Sequence, residues 1–284
     1  MNRAIEASEP DGVEATVEYV SPRAQHSLRY LGSGQEVNTA SFDQHKVYIR
    51  NARRTSSPPT LATTGFELVR HSNTVDLHDD HAEGPYRQVI ERLLVEHTGA
   101  EKAVVFGPRR RHTSIVSNGT LPGATDVHVD YAAADSRRIA ARLLGLANPA
   151  EIPYRRYMAI NLWRALSAPP QDRPLAICDG TSVATQSGAY NTLMPVDNMP
   201  PREQMLTEPP ADPNLRRGFL FHYDPAHRWF YFPNMRRDEL LLFKLYDSTE
   251  TGPWRCPHVS FVDPTVKNAP PRESYEIRSF VFFS

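Results

Sequence analysis

From about residue 155 onward the chain repeats one pattern, short apolar runs separated by turn residues, and this limits what it can fold into. The runs are 156–164, 174–178, 218–223, 228–232, 239–246, 258–262 and 274–283. Strands this short bury their apolar faces only by packing as a sandwich or closing as a barrel. Twenty-five prolines against 14 glycines fit rigid loops and strand-edge stops. Asp224-Pro225-Ala226-His227 reads as a hairpin loop between 218–223 and 228–232. Helical signals come earlier. Residues 84–98 set Tyr86, Val89, Ile90, Leu93 and Leu94 at helical spacing with Gly99 as C-cap. Val104-Val105-Phe106 follows as a strand, and Asp135 or Ser136 caps a second helix over 136–145. The expected fold is mainly β with α: a double-stranded β-helix (jelly-roll, cupin-like) core with flanking helices. Residues 1–60 read as an irregular segment, extended only at 46–50, packed on a single domain at 61–284.

Within that frame two distant stretches carry chemistry: Val127-His128-Val129-Asp130 and Cys256-Pro257-His258-Val259-Ser260-Phe261. Strand side chains alternate, so His128 and Asp130 share one face. His258, arriving on a later strand, completes a set of two imidazoles and one carboxylate. That facial set suits non-haem Fe(II) and leaves three positions free for a cosubstrate and O₂. His-x-Asp alone is common by chance; strand context and two late arginines, Arg272 and Arg278, raise it here. A rival group, His71, Asp76, His78, Asp79, Asp80 and His81, resembles a metal cluster in composition only. It falls in a loop without ligand spacing and reads as a solvated acidic loop. Cys256 lacks a second thiol for zinc and reads as a packed strand-edge thiol.

Several segments, taken jointly and in order, resemble the CmcJ/AsaB-like hydroxylase/desaturase family of bacterial and fungal secondary metabolism. They are Val127–Asp130; Pro174–Asp179 with Ser182-Val183; Trp229–Met235; Asp238–Ser248; His258–Pro264; and Pro271–Ser274. The resemblance covers roughly residues 60–284. It implies a non-haem iron, 2-oxoglutarate-dependent oxygenase that uses O₂, with 61–284 as the oxygenase domain. Two departures stand out. Trp-Phe-Tyr at 229–231 replaces Trp-Tyr-Tyr, and His-Val-Asp-Tyr-Ala at 128–132 replaces a more polar stretch, which bears on substrate rather than metal.

Such an enzyme must neutralise the distal carboxylate of its cosubstrate, and a planar guanidinium does this best. Arg272 has the spacing after His258 that this role requires. Arg278, on the same face of a regular strand, is expected nearby, gripping cosubstrate or an anionic substrate group. Lys244, in an otherwise apolar run, reads as a lysine snorkelling to water. Among the aromatics, Tyr131, beside Asp130, is the best placed to touch substrate, with Trp229 and Tyr231 as further candidates.

Composition excludes other classes. Net charge is −1, which gives no general electrostatic case for nucleic acid or an anionic membrane. Arg109-Arg110-Arg111 reads as a solvated basic loop. With two cysteines, no apolar leader and no run of transmembrane length, a cytoplasmic protein is expected. The reading favoured is hydroxylation, desaturation or cyclisation of a small metabolite, with a homodimer or a biosynthetic partner enzyme left open. The alternative is a jelly-roll accessory subunit without turnover. A zinc hydrolase on the same scaffold is weaker, since no general base is evident.

Overall fold

The computed structural model describes residues 10–284 apart from 25, 33–34, 80, 115–119, 122–123, 186, 207 and 213. Among the described residues the chain begins with four strands: β1 (Gly12–Val20), β2 (His26–Gly32), β3 (Gln35–Asn38) and β4 (Phe42–Asn51). Next come β5 (Phe66–Arg70), α1 (Glu83–Thr98), β6 (Lys102–His112), β7 (Thr120–Leu121), β8 (His128–Val129) and α2 (Ala133–Leu143). The remainder is β9 (Arg156–Ala165), β10 (Leu175–Cys178), β11 (Gly188–Pro195), β12 (Arg217–Phe221) and β13 (Trp229–Tyr231). It ends with β14 (Glu239–Asp247), β15 (His258–Ser260) and β16 (Glu273–Phe283).

Two sheets face each other. The larger runs β1-β4-β13-β10-β15-β8-β12-β11-β2-β3 and the smaller β5-β14-β9-β16-β6-β7. This is the double-sheet jelly roll that the strand pattern predicts. The hairpin expected around 224–227 does not form between β12 and β13. Asp224 does organise a turn, accepting from the backbone N–H of Ala226 at 2.8 Å. However, β8, β15 and β10 stand between the two strands in the sheet, so the turn is a crossover.

Residues 12–51, expected to be mostly irregular, supply strands to the larger sheet. β1 pairs with β4 along nine residues, and β4 continues the sheet beside β13. β1 then bends back to β8, where Glu18 bridges Asp126 and the Val127 N–H donates to the Glu18 carbonyl at 2.8 Å. The larger sheet therefore curls around an apolar core of its own, including Val17, Tyr19, Ile49, Val129, Trp229 and Phe261.

The smaller sheet is covered on both faces, which is why β14 is buried from end to end. Outside, α1 lays Tyr86, Ile90 and Leu94 onto Ile160, Leu162 and Ile277. Each such side chain contributes about 1.5–3 kcal/mol when fully buried. The helix stops at Gly99, whose positive φ of 70° is the left-handed C-cap expected of glycine. Inside, Ala159, Trp163, Phe243 and Phe280 face the larger sheet. α2 starts three residues before the expected 136. Its N-cap is Ala132, and Asp135 is buried instead as an ion-pair partner of Arg138 and Arg217. Lys244 does not snorkel: it is 3% exposed, and its ammonium donates to Asp247 at 2.9 Å. On a central strand covered from both sides, an internal carboxylate replaces water as its partner.

Candidate metal centre

β8 and β15 are neighbours in the larger sheet, with His128 directly opposite His258. Alternation sends both imidazoles toward the smaller sheet while Val127, Val129, Val259 and Phe261 point into the outer core. The two rings lie 4.4 Å apart between centroids, and His258 also packs 4.7 Å from the Phe243 ring. Asp130, two residues past His128, joins them on the same face. His128, Asp130 and His258 each offer one ligand atom within 4.8 Å of the others, and among the described residues no other such group forms.

The hydrogen bonds fix which ring nitrogens are free. His128 Nδ1 sits 2.8 Å from the Asp126 carbonyl oxygen and His258 Nδ1 3.3 Å from that of Cys256. A carbonyl only accepts, so each ring donates from Nδ1 and turns Nε2 inward. Burial, then the neighbouring His128, pushes His258 down to about 3, so this imidazole is neutral at physiological pH. Burial opposes the charged form of Asp130, but the charge and hydrogen bond of Arg278 together with the two histidines overcome it, and the carboxyl is held well below the usual carboxylate range. Arg278 Nε donates to Asp130 Oδ2 at 2.8 Å and its Nη2 to Glu276 Oε1 at 3.0 Å. Two imidazoles turned inward by their Nδ1 hydrogen bonds and a charged, oriented carboxylate are the donor set that a divalent first-row cation requires.

A narrow cleft lined by His128, Asp130, His258, Trp163, Ser260 and Arg272 joins the triad to the last strand. Arg272 is 1% exposed and its guanidinium forms no ion pair among the described residues, although Glu276 lines the same cleft and Asp172 accepts from the Arg272 backbone N–H at 2.8 Å. It donates to the Arg173 carbonyl and, at 3.3 Å, to Ser260 Oγ, and lies 5.4 Å over the Trp163 ring. Its Nε is buried with no hydrogen-bond partner. Burial, then the like charge of Arg111, lowers it to about 10. A buried cation with unused donors at the end of a cleft fits an anionic ligand that reaches it from the triad.

A wider cavity of about 330 Å³ opens on the other side of His128 and Asp130, and Tyr131 lines it. Burial raises the Tyr131 phenol to about 12, so it stays protonated. Trp229 and Tyr231 belong to the outer core instead. Trp229 is fully buried and donates from Nε1 to the Tyr19 hydroxyl at 2.9 Å; Tyr231 packs edge-on against Phe261. Of Trp229-Phe230-Tyr231, alternation leaves only Phe230 on the face of the triad.

Three further points separate structure from expectation. Arg278 is committed to Asp130 and Glu276 rather than open to a ligand. Arg109–Arg111 are not a solvated loop but part of β6, laddered to β16, and Arg111 pairs with Glu276 at 2.9 Å. Glu276, which with Glu273 the sequence offers as a surface salt-bridge partner for a late arginine, does pair with Arg278, but buried inside the fold. The rival loop forms no cluster among its described members. His71 accepts from Arg164, His78 pairs with Asp76 and Glu273, and Asp80 lies outside the described residues. Cys256 is buried, its thiol against the Thr64 carbonyl.

A jelly roll holding two histidines and a carboxylate between its sheets has the architecture of the non-haem iron oxygenases. A family profile described as oxidoreductase/YMDC permease-like domain matches residues 17–282, and the chain belongs to that family. The Fe(II)/2-oxoglutarate-dependent dioxygenase nvfI of Aspergillus novofumigatus is 31% identical over 257 residues, covering 88% of this chain and 87% of that protein. The hydroxylase/desaturase CTB9 of Cercospora beticola is 32% identical over 270 residues, covering 85% and 78%. A solved structure titled iron and alpha-ketoglutarate-dependent endoperoxidase NvfI superposes with a TM-score of 0.79 at 27% identity, over 96% of this chain and 99% of that one. Among the described residues no helix is long and apolar enough to cross a membrane.

Proposed function

We propose that this protein is a non-haem Fe(II)/2-oxoglutarate-dependent oxygenase that hydroxylates, desaturates or cyclises a small molecule of secondary metabolism. The observation that carries the reading is an inward-facing His-Asp-His set sharing one cleft with a buried arginine whose guanidinium forms no ion pair among the described residues. The nearby relatives named as dioxygenases and hydroxylase/desaturases support it. In this reading His128, Asp130 and His258 hold the iron, and Arg272 with Ser260 receives the far carboxylate of 2-oxoglutarate. Iron and 2-oxoglutarate, when bound, supply the power to activate O₂ against a substrate C–H bond.

The chain's own residues set the stage for that chemistry. The carbonyls of Asp126 and Cys256 orient the imidazoles, and Arg278 fixes one Asp130 oxygen so that the other faces the histidines. Phe243 and Trp163 exclude water from the cleft floor, which strengthens every charge interaction there. Tyr131, protonated and beside Asp130, faces the cavity where substrate would sit. An accessory subunit would not need an unsatisfied arginine in the cosubstrate position, and the catalytic reading is favoured. A homodimer or a partner enzyme remains compatible with it.

The test is anaerobic addition of Fe(II) and 2-oxoglutarate to the purified protein, followed by absorption spectroscopy and then exposure to air. A weak visible band from the iron chelate and succinate formation are expected. A protein that takes up iron yet shows neither band nor succinate would favour the accessory reading.

A further inference from the structure

The 330 Å³ cavity beside the triad is rich in arginine, and its guanidinium groups are not equally engaged. Arg29 is held by Asp126 and Glu36, Arg278 by Asp130 and Glu276, and Arg111 by Glu276. Arg109 also lines the cavity but makes no side-chain hydrogen bond or ion pair with any described residue. It stands opposite Glu276 in the β6–β16 ladder, yet that carboxylate already serves Arg111 and Arg278. Strand alternation explains the placement: Arg109 and Arg111 turn into the cavity, whereas Arg110 points away and donates to the Leu77 carbonyl.

We propose that Arg109 is a specificity-determining residue that binds a carboxylate on an otherwise apolar small-molecule substrate. The proposal rests on the oxygenase reading for the site but concerns a different group of residues. The geometry supplies both halves of the recognition. Leu31, Phe42, Leu193 and Phe219 give the cavity apolar wall, while Arg109 is half-buried with its planar donors unused. Burial, then the like charges of Arg278 and Arg111, hold its guanidinium below the usual range. An arriving anion relieves that repulsion. Because Arg109 lines the same cavity as His128 and Asp130, a substrate gripped there can extend its skeleton toward the triad. A carboxylate matches the fork geometry of arginine in a way that a hydroxyl or ester does not. Arg216, exposed across the cavity, is the rival for the same anion.

The test compares 2-naphthoate with methyl 2-naphthoate by equilibrium dialysis against the anaerobic Fe(II) protein at saturating 2-oxoglutarate. Wild type should retain the acid roughly ten- to hundredfold more tightly than the ester, the range of a charge-assisted hydrogen bond. Arg109→Gln should abolish the preference, Arg109→Lys should keep part of it, and Arg70→Gln, an exposed charge control, should keep all of it. The visible iron–2-oxoglutarate band should be the same in all five proteins, Arg216→Gln included. No preference in wild type, whether through equal or absent retention, overturns the proposal, as does a preference that survives Arg109→Gln or is lost only in Arg216→Gln. Loss of the visible band in Arg109→Gln alone would assign the residue to the cosubstrate and also overturn it. If wild type lacks the band, the oxygenase reading fails, while the acid-over-ester comparison among the variants still decides the role of Arg109.

Discussion

Arg272 and Arg278 stand at the two ends of one stretch of chain, both less than a tenth exposed, in opposite electrostatic settings. Arg278 is answered twice: Asp130 at 2.8 Å and Glu276 at 3.0 Å hold it well above the ordinary guanidinium value, although burial alone would lower it. Around Arg272 there is a carbonyl, a serine hydroxyl, an indole face and an unpartnered Nε. Desolvating a charge without a counterion costs several kcal/mol. A fold tolerates that only where something from outside restores the balance. The contrast teaches that a buried arginine's role follows from what is missing around it. Arg278 is part of the ligand set's support, whereas Arg272 is shaped for a guest.

The strongest way to break the comparison is at the carboxylate that Arg278 serves. Asp130→Ala and His258→Ala should each reduce bound iron to background in metal analysis of the reconstituted protein, since two ligands do not hold a ferrous ion firmly. His78→Ala, in the loop cluster, should retain full stoichiometry. Iron retained without Asp130 would mean that Arg278 supports no metal ligand at all.

Next comes a crossed pair of substitutions. Arg278→Met leaves Asp130 and Glu276 short of a buried partner and should lower stability by about 3–5 kcal/mol in denaturant titrations without added ligand. Arg272→Ala removes an unsatisfied cation, so its loss of ligand-free stability should be clearly smaller. It should instead weaken 2-oxoglutarate binding by about 2–5 kcal/mol, read from titration of the visible band, with iron content unchanged. If the two variants exchange phenotypes, the assignments are reversed.

Much of this arrangement is readable from the chain, and the exceptions have physical causes. The triad emerges because period-two alternation ties Asp130 to His128 wherever a strand forms. The same rule cannot say which face of a three-residue strand looks inward, so Trp229 and Tyr231 could not be separated from Phe230 without the sheet. The crossover between β12 and β13 is likewise invisible locally, because the turn at Asp224 has the same chemistry whether or not its strands pair. β1 was readable: Val13, Ala15, Val17 and Tyr19 alternate with Glu14, Thr16 and Glu18. Its polar flanks hid it. That the Arg272 guanidinium forms no ion pair among the described residues is a fact of three-dimensional packing that no spacing encodes.

The finest test sharpens the contrast at Glu276, the carboxylate that bonds Arg278 and lines the cleft with Arg272 without pairing to it. Burial favours its neutral form, but Arg111 and Arg278 outweigh this and hold it down to about 2, against about 4.5 in an unfolded chain. A folded value below the unfolded one means that the charged form is stabilised by folding. Its contribution is therefore complete above about pH 4.5 and fades as pH falls through about 2. Glu276→Gln keeps the shape and removes the charge, so the wild-type advantage should be about 1–3 kcal/mol near pH 7. It should shrink steadily between pH 4.5 and 2. Arg278 keeps Asp130 in the variant, so iron binding should survive, and 2-oxoglutarate affinity at Arg272 should stay within a few-fold of wild type. A pH-independent difference would show that Glu276 acts through packing rather than charge. A large loss of 2-oxoglutarate affinity would show that the two arginines share one electrostatic network, and the contrast between them would dissolve.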